Sequence, residues 1–278
     1  MRTLTNPNHK KPAGYKLKAV IFFVVTHWRD DDTSGYHKER MEVIQTCLET
    51  MRDRAHCDHT FFVWDNGSSR LLLDWLQDDF QPDILVQSPN LGKGLARAMA
   101  LKMLPLNAVV CCSDDDIYYY DNWLFPQVGI LRLFPNVAAV SGYPIRTQFR
   151  RGIESTLEWA RACAKLEQGR FIPESWERQH AASVGWSWDK YNKLTENDVD
   201  YRMSYLGQRV YAQSHHCQFI GIVEKISQVA DAAVDGLLTP DEWPFDVALG
   251  EVGLRLCTEE RLCRHIGNIL DEDLRDVR

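Results

Sequence analysis

The sequence lacks an apolar run long enough to cross a bilayer. Its longest candidate covers residues 19–25, whereas a membrane helix needs about 18 or more. The residues before that run carry prolines and lysines without apolar periodicity, and they lack the apolar core of a secretory signal. We therefore expect no membrane span, a cytoplasmic location and a flexible N-terminal arm over residues 1–16.

Paired cysteines and an excess of positive charge are also missing. The eight cysteines show no CxxC spacing, which predicts reduced thiols in a cytosolic protein. A zinc site built from the histidines and cysteines at 215–217, 263 and 265 is disfavoured, because adjacent ligands fit one tetrahedron poorly. The net charge of −7 disfavours a protein that holds duplex DNA mainly by neutralising its phosphates.

The sequence shows no internal repeat, no low-complexity tract and no linker that would separate independent domains. The 278 residues, 45% of them hydrophobic and 26% charged, predict one large soluble domain. Arg146, Arg150 and Arg151 form a basic cluster that favours a solvated loop over an anion-binding site. Aromatic residues crowd into the segment 176–211, where core packing is favoured over a platform for a sugar or a base.

The sequence does contain an alternation of buried-strand and amphipathic-helix patterns. Strands are predicted at residues 17–26, 60–64, 84–86 and 108–112. Helices are predicted at residues 37–54, 71–79, 94–104 and 154–168. This rhythm predicts an α/β fold with a mostly parallel, doubly wound sheet.

Polar residues follow the predicted strands at Thr26, Asp65, Asn90 and Asp114. In an open α/β sheet, ligands bind beyond the carboxyl ends of the strands. We therefore expect these four positions to line one shared cleft.

The stretch Ser113-Asp114-Asp115-Asp116-Ile117 places three acidic residues directly after an apolar strand pattern. Burying clustered carboxylates costs several kcal/mol unless a cation or hydrogen bonds offset the charge. Hard oxygen ligands suit Mg²⁺ or Mn²⁺, and these ions suit a pyrophosphate. The triplet therefore indicates a nucleotide-diphosphate site, with a solvated turn or a helix cap as the alternative.

Five motifs occur in order along the chain: Val25-Thr26, Asp65-Asn66-Gly67-Ser68, the loop and helix start at 90–98, Asp114-Asp115-Asp116, and His265-Ile266-Gly267-Asn268. In this order and spacing they resemble the GT-A fold glycosyltransferases, closest to family 2, over roughly residues 17–268. The resemblance implies a Rossmann-like GT-A domain, a nucleotide-sugar donor, a DxD-bound divalent metal and inversion at the anomeric carbon. The expected organisation is a nucleotide-sugar-binding half at 17–145, an acceptor-side half at 146–270 and a C-terminal tail at 271–278.

The resemblance also assigns a donor site, for which a UDP-sugar is expected. Thr26 would lie at the nucleotide edge, and Asp65 would accept a hydrogen bond from the base, although Asp65 could instead cap its own turn. Lys93 would lie near the phosphates, where the glycine before it permits close backbone approach. The donor-binding residues expected in this way are Thr26, Arg29, Asp65, Asn90, Gly92, Lys93, Asp114 and Asp115.

The same resemblance assigns Mn²⁺ or Mg²⁺ to Asp114 and Asp116, with His265 as a further ligand. Family 2 usually places its catalytic base in an acidic pair that opens a helix before a Gly-aromatic-Arg turn. By this spacing Glu242 is the expected base, with Asp241 and Asp246 as alternatives. Two departures weaken the match: the acidic pair is reversed, and a proline at 244 is expected to interrupt the start of the helix.

Two other functions stay open at this stage. A nucleotidyltransferase that makes a sugar nucleotide would carry a glycine-rich basic loop after the first strand, and His27-Trp28-Arg29-Asp30 lacks those glycines. A non-catalytic nucleotide-sugar-binding protein is disfavoured by the intact acidic triplet. The acceptor is expected to bear a hydroxyl group, and a saccharide, a small molecule, a protein and a modified nucleobase in DNA all stay open, as does the oligomeric state.

Overall fold

The computed structural model describes residues 19–30, 39–231, 242–268, 270 and 272–275. Its strands are β1 Val20–Thr26, β2 Thr60–Asp65, β3 Ile84–Gln87, β4 Val109–Ser113, β5 Ile117–Tyr119, β6 Val137–Ser141, β7 Lys165–Gly169, β8 Asp200–Tyr205, β9 Gln208–Tyr211, β10 Gln218–Ile222, β11 Leu254–Thr258 and β12 Cys263–His265. Its α-helices are α1 Arg40–Asp53, α2 Arg70–Asp74, α3 Lys93–Met103, α4 Leu124–Leu133, α5 Glu154–Cys163, α6 Glu174–Ser183, α7 Trp188–Thr195, α8 Val223–Ile226, α9 Trp243–Val252 and α10 Glu272–Arg275.

Three short helices of other types complete the described elements. A π-helical turn, Trp75–Phe80, follows α2, and 3-10 turns occupy Arg146–Arg150 and Ser227–Val229. Among the helices within the described ranges, none combines the length and the apolarity that a bilayer crossing requires.

One sheet of ten strands, counted within the described residues, runs in the order β3-β2-β1-β4-β10-β6-β11-β9-β8-β7. Strands β1 to β4 are parallel, β10 is antiparallel to both of its neighbours, and β6 and β11 return to the first direction. Only β7, β9 and β10 run against the others. The predicted mostly parallel α/β sheet in a single domain is confirmed.

Helices cover both faces of this sheet, which explains the continuous apolar runs in its strands. In β1, Phe22 and Val24 belong to one core, whereas Ile21, Phe23 and Val25 belong to the core on the opposite face. A strand buried on both faces needs apolar side chains at every position, so the sequence shows no polar alternation here.

The register of the parallel strands brings their carboxyl ends to one edge of the sheet. Thr26 lies beside Asp65 on the neighbouring strand, and Asp65 lies beside Gln87. On the other side of β1, Val24 pairs with Ser113, so the acidic triplet begins at the same edge. Ligands of open α/β sheets bind at such an edge, so the functional site is expected here.

The predicted helix over residues 154–168 is wrong in its last five residues. Helix α5 ends at Cys163, and Ala164 is extended with φ −134° and ψ 166°. Residues Lys165–Gly169 then form β7, which pairs antiparallel with β8. Pairing with a strand some 35 residues further along decides this conformation, and local helix propensity cannot report such a partner.

The expectations for Pro244 and Arg146, in the second half of the chain, are wrong. Pro244 does not interrupt the start of a helix, because it lies in the first turn of α9, where a missing N–H costs no hydrogen bond. Arg146 does not lie in a solvated loop, since it is buried and pairs with Glu177 at 2.7 Å and with Asp200 at 2.8 Å.

The aromatic crowd in the segment 176–211 is core only in part. Tyr191 and Tyr211 are buried, whereas Trp176, Trp186 and Trp188 are half-buried. Cations cover the rings of these tryptophans, as Arg178 does for Trp188. The segment therefore combines core packing with surface cation–π contacts.

Two helical glycines offer a matched test of the packing. A Cβ on Gly250 in α9 would collide with the backbone oxygen of Gly152, whereas a Cβ on the exposed Gly129 in α4 would meet nothing within 4 Å. We expect Gly250→Ala to lower the free energy of unfolding by about 1–3 kcal/mol through overpacking. We expect Gly129→Ala to raise it by about 0.5–1 kcal/mol. Urea denaturation measures both, and equal effects would contradict the close packing of α9.

Candidate active site

The acidic triplet lies in the short connection between β4 and β5 and is largely buried. The side chains of Asp114, Asp115 and Asp116 are 15%, 8% and 16% exposed. The Asp114 backbone N–H donates to the Cys217 carbonyl at 2.8 Å, and the Asp116 carbonyl accepts from the Ile266 N–H at 2.9 Å. The alternative of a solvated turn is therefore wrong.

The carboxylate of Asp114 is held by two cations from the first turns of α3. Lys93 Nζ lies 3.1 Å and 3.0 Å from the two carboxylate oxygens, and Arg97 Nη2 lies 3.2 Å from Oδ1. Both cations also reach Glu242, at 2.7 Å from Lys93 and 3.0 Å from Arg97. Burial and the charge of Glu242 raise the pKa of Asp114 despite these partners.

The carboxylates of Asp115 and Asp116 share one guanidinium, that of Arg40 at the start of α1. Arg40 donates to Asp115, to Asp116 Oδ2 at 3.3 Å and to the Gly267 carbonyl at 3.3 Å. The His27 N–H also donates to Asp115 at 3.3 Å. Burial raises the pKa of Asp115 to about 6. The charge of Arg40 opposes this shift, and the charges of the other two aspartates add to it.

His265 completes the surroundings of Asp116. Its Nε2 lies 3.2 Å from Asp116 Oδ2, and its Nδ1 lies 2.8 Å from the Ser183 hydroxyl. Burial acts to raise the pKa of Asp116, but His265 and Arg40 outweigh it and hold that pKa well below its usual value. The other oxygen of this carboxylate, Asp116 Oδ1, is buried and has no hydrogen-bond partner among the described residues.

These contacts decide how well a divalent metal fits. Asp116 and His265 are adjacent, and Asp116 Oδ1 is an unused acceptor, so a carboxylate oxygen and an imidazole nitrogen suit Mn²⁺. Asp114 faces Lys93 and Arg97 instead, and within the described ranges no three His, Cys, Asp or Glu side chains form a metal-binding group. Three side-chain cations, those of Arg40, Lys93 and Arg97, already offset the buried carboxylates. The assignment of Asp114, Asp116 and His265 as ligands stays a prediction.

The expected donor-binding residues line the same edge of the sheet. Asp65 accepts from the Ser68 N–H at 3.2 Å, so its carboxylate stabilises its own turn. Asn90 Oδ1 accepts from Asn66 Nδ2 at 3.1 Å and from the Gly92 N–H at 3.0 Å. The loops after β2 and β3 are therefore hydrogen-bonded to each other.

Three more expected residues lie on the neighbouring segments. Thr26 is buried at the end of β1, and its hydroxyl has no hydrogen-bond partner among the described residues. Gly92 has a φ of 81°, a backbone conformation that favours glycine, directly before α3. Arg29 is exposed after β1. A nucleotide contact for any of these residues stays a prediction.

The three carboxylates expected to supply a base have different surroundings. Asp241 lies outside the described residues. Glu242 precedes α9 and contacts Lys93 and Arg97, so its pKa lies well below its usual value even though burial acts to raise it. Asp246 is 2% exposed, and its carboxylate contacts His216 Nδ1 at 2.7 Å and Arg255 Nη2 at 2.8 Å.

Sequence analysis missed three residues of this site: Arg40, Arg97 and His216. Arg97 could have been predicted from the sequence, because it lies one helical turn after Lys93 and therefore on the same face of α3. Arg40 and His216 gave no local signal, since their partners lie 76 and 30 residues away.

The comparisons with known proteins agree with this architecture. The family model described as glycosyl transferase family 2 matches residues 36–186, more than half of the chain. The chain belongs to glycosyltransferase family 2. This membership confirms the family predicted from the motifs, and with it the GT-A α/β fold class. No curated protein matches the chain.

The solved structures that are similar to the chain include two glycosyltransferases. Mannosyltransferase PcManGT from Pyrobaculum calidifontis, in complex with GDP-Man and Mn²⁺, is 20% identical over 49% of this chain and 40% of its own, with a TM-score of 0.37. Galactosyltransferase LgtC, in complex with donor and acceptor sugar analogs, is 10% identical over 84% of this chain and 70% of its own, with a TM-score of 0.40. The match therefore spans two-fifths of the mannosyltransferase chain.

The buried cations generate a stability prediction. Arg97 is 3% exposed and contacts both Asp114 and Glu242, so Arg97→Met leaves two buried carboxylates with one cation fewer. We expect a loss of about 3–5 kcal/mol in the free energy of unfolding. Arg70→Met, which breaks an exposed pair with Asp74, is the control, with an expected change of about 0.5 kcal/mol or less. Equal changes in urea denaturation would show that the carboxylates do not depend on Arg97.

Proposed function

We propose that the chain is a metal-dependent glycosyltransferase that moves a sugar from a nucleotide-diphosphate donor, a UDP-sugar, to a hydroxyl acceptor with inversion. The observation that carries the proposal is the Asp116 carboxylate, which lies next to His265 with one buried oxygen lacking a partner among the described residues. In a chain of family 2, a divalent ion is the ligand whose chemistry fits this pair of side chains.

Asp116 and His265 would hold Mn²⁺ or Mg²⁺, and Asp114 would join them once Lys93 is drawn away. When bound, such an ion supplies positive charge to the phosphate oxygens of the departing nucleoside diphosphate. Asp115 stays with Arg40 and the His27 N–H, which hold the triplet against the end of β1. Its role toward the ribose or the sugar is part of the proposal.

The remaining donor contacts follow from the loops at the same edge. Lys93 and Arg97, at the N-terminal end of α3, would bind the diphosphate, because a helix N-terminus and two cations favour an anion. Thr26 and Asp65 would contact the base, and Asn90 and Gly92 would shape the backbone beside the phosphates. Arg29 would approach the nucleotide from the segment after β1.

Transfer needs the acceptor hydroxyl in line with the bond that breaks and a group that takes its proton. Of the candidates for that group, Glu242 directly precedes α9 and Asp246 lies in its first turn. Asp241, the third candidate, lies outside the described residues. Glu242 contacts the two cations that would bind the diphosphate, so the acceptor side and the donor side of the cleft share these residues.

A thermal-shift panel of nucleotide sugars with Mn²⁺ tests the donor and the metal together. A UDP-sugar at about 100 times its Kd should stabilise the wild-type chain by about 2.7 kcal/mol. Asp116→Asn should abolish the Mn²⁺-dependent part of this shift and lower transfer by about 100-fold or more. It should still fold. Asp53→Asn, which alters an exposed carboxylate on α1, is the control.

Three results would contradict the proposal. Retained Mn²⁺-dependent binding and transfer in Asp116→Asn would exclude that carboxylate as a ligand. Synthesis of a sugar nucleotide from a sugar phosphate and a nucleoside triphosphate would identify a nucleotidyltransferase. Binding of a donor with neither transfer nor hydrolysis, across saccharide, peptide and hydroxymethylated-DNA acceptors, would identify a non-catalytic binding protein.

A further inference from the structure

His216 lies between two carboxylates at the edge of the cleft. Its Nδ1 is 2.7 Å from Asp246 Oδ2, and its Nε2 is 3.4 Å from Glu242 Oε2. The side chain is 17% exposed, so part of it reaches the surface. An imidazole with one nitrogen 2.7 Å from a buried carboxylate and the other in a longer contact of 3.4 Å has the arrangement of a general base and its orienting partner.

Asp246 is suited to orient this imidazole and unsuited to take a proton itself. Its second oxygen accepts from Arg255 Nη2 at 2.8 Å, and Arg255 is fully buried. Arg255 is fixed in turn by Ser214 Oγ at 3.0 Å and by the Arg151 carbonyl at 2.7 Å. With both oxygens engaged and 2% exposure, Asp246 has no free edge toward an acceptor.

Glu242 is a poor candidate for the base on the same grounds of geometry. One oxygen lies 3.0 Å from Arg97, and the other lies 2.7 Å from Lys93. A carboxylate between two cations binds a proton weakly, and general-base catalysis is most effective when the pKa of the base lies near the working pH. Glu242 is therefore better suited to hold Lys93 and to contact the Nε2 edge of His216.

The backbone places His216 beside the donor-side residues. Its carbonyl accepts from Arg97 Nη2 at 3.4 Å, and the carbonyl of the next residue, Cys217, accepts from the Asp114 N–H at 2.8 Å. The loop before β10 is thus attached both to α3 and to the acidic triplet. His216 is therefore held next to Arg97 and Asp114, which belong to the proposed donor site.

We propose that His216, oriented by Asp246, is the general base of the transfer reaction. This inference rests on the proposed function. The acceptor hydroxyl oxygen forms a bond to the anomeric carbon with its lone pair, and its proton passes to His216 Nε2. The bond from that carbon to the phosphate oxygen breaks, and its electron pair leaves with the nucleoside diphosphate. Asp246 accepts from Nδ1–H and stabilises the resulting imidazolium, as a positioning residue.

The inference implies a pH dependence with a definite sign. Burial lowers the pKa of His216, and the charge of Lys93 lowers it further. The negative charges of Glu242 and Asp246 raise it by more, so this pKa lies above its usual value of 6.5. The His215 ring lies 4.6 Å away. The charge of His216 acts to lower the pKa of both His215 and His180. A base acts only when deprotonated, so kcat/KM should fall as the pH drops through a pKa above 6.5.

The test compares His216→Ala with His56→Asn, which alters an exposed imidazole paired with Asp121. We expect His216→Ala to lower kcat by about 100-fold to 10,000-fold and to abolish the acid limb of the pH profile. The dissociation constant of the donor should change by about threefold or less. Added imidazole should raise the transfer rate of His216→Ala by at least about tenfold, because the deleted side chain leaves room for it. His56→Asn should match the wild-type chain.

Two further variants separate the roles of the neighbouring carboxylates. Asp246→Asn should lower kcat and shift the acid limb to lower pH, because the imidazolium loses its stabilising charge. Glu242→Gln should lower kcat by less than about tenfold and lower the apparent pKa of that limb.

Each contrary outcome has a clear meaning. The inference would be overturned by transfer within about threefold of wild type in His216→Ala, or by a kcat loss confined to Glu242→Gln. A His216→Ala variant that folds but loses donor binding, with no rescue by imidazole, would assign His216 a purely structural role and would also overturn it. No transfer by the wild-type chain would overturn the proposed function itself, and this inference with it.

Discussion

The cleft of this protein depends on a balance of buried charges. Asp114 and Glu242 share Lys93 and Arg97, while the rest of the triplet shares Arg40. Removing one member of a buried ion pair costs about 3–5 kcal/mol, because the remaining charge is left without compensation in a medium that solvates it poorly. The fold can keep this many carboxylates at one edge only because α1 and α3 each begin with a cation directed at them. In the proposed reaction, a diphosphate would compete with Asp114 for Lys93, and Asp114 would then be one of the residues that hold the metal. Donor and metal binding would then support each other.

Most of the framework could be predicted from the sequence, because local patterns decide it. Strands β1, β2 and β4 are buried on both faces, so their apolar runs are unmistakable, and α1 and α3 show regular apolar spacing. Strand β7 could not be predicted in this way. Its five residues follow α5 without a strong break, and they are extended because β8 offers hydrogen bonds. Conformation that is imposed by a distant partner leaves no trace in a local pattern.

Some residues of the candidate site could likewise be predicted from local patterns, and others could not. The acidic triplet and Lys93 could be identified, because each follows a recognisable strand or opens a recognisable helix. The cations that neutralise the triplet could not all be identified, and a metal was therefore inferred from burial where the structure supplies Arg40 and Arg97 as well. The Asp246 to His216 contact joins a helix to a loop that lies 30 residues before it. Such a contact exists only once β10 and β11 have taken their places in the sheet, so spacing along the chain could not reveal it.

The measurement that tests the central claim most directly is a crystal structure with Mn²⁺ and a UDP-sugar, with diffraction data collected at the manganese absorption edge. The account predicts an anomalous peak at coordination distance from Asp116 and His265, next to the donor diphosphate, with Lys93 turned from Asp114 toward the phosphates. It would be contradicted by a well-ordered donor with no anomalous peak, and with Asp114 and Asp116 still paired to Lys93 and Arg40.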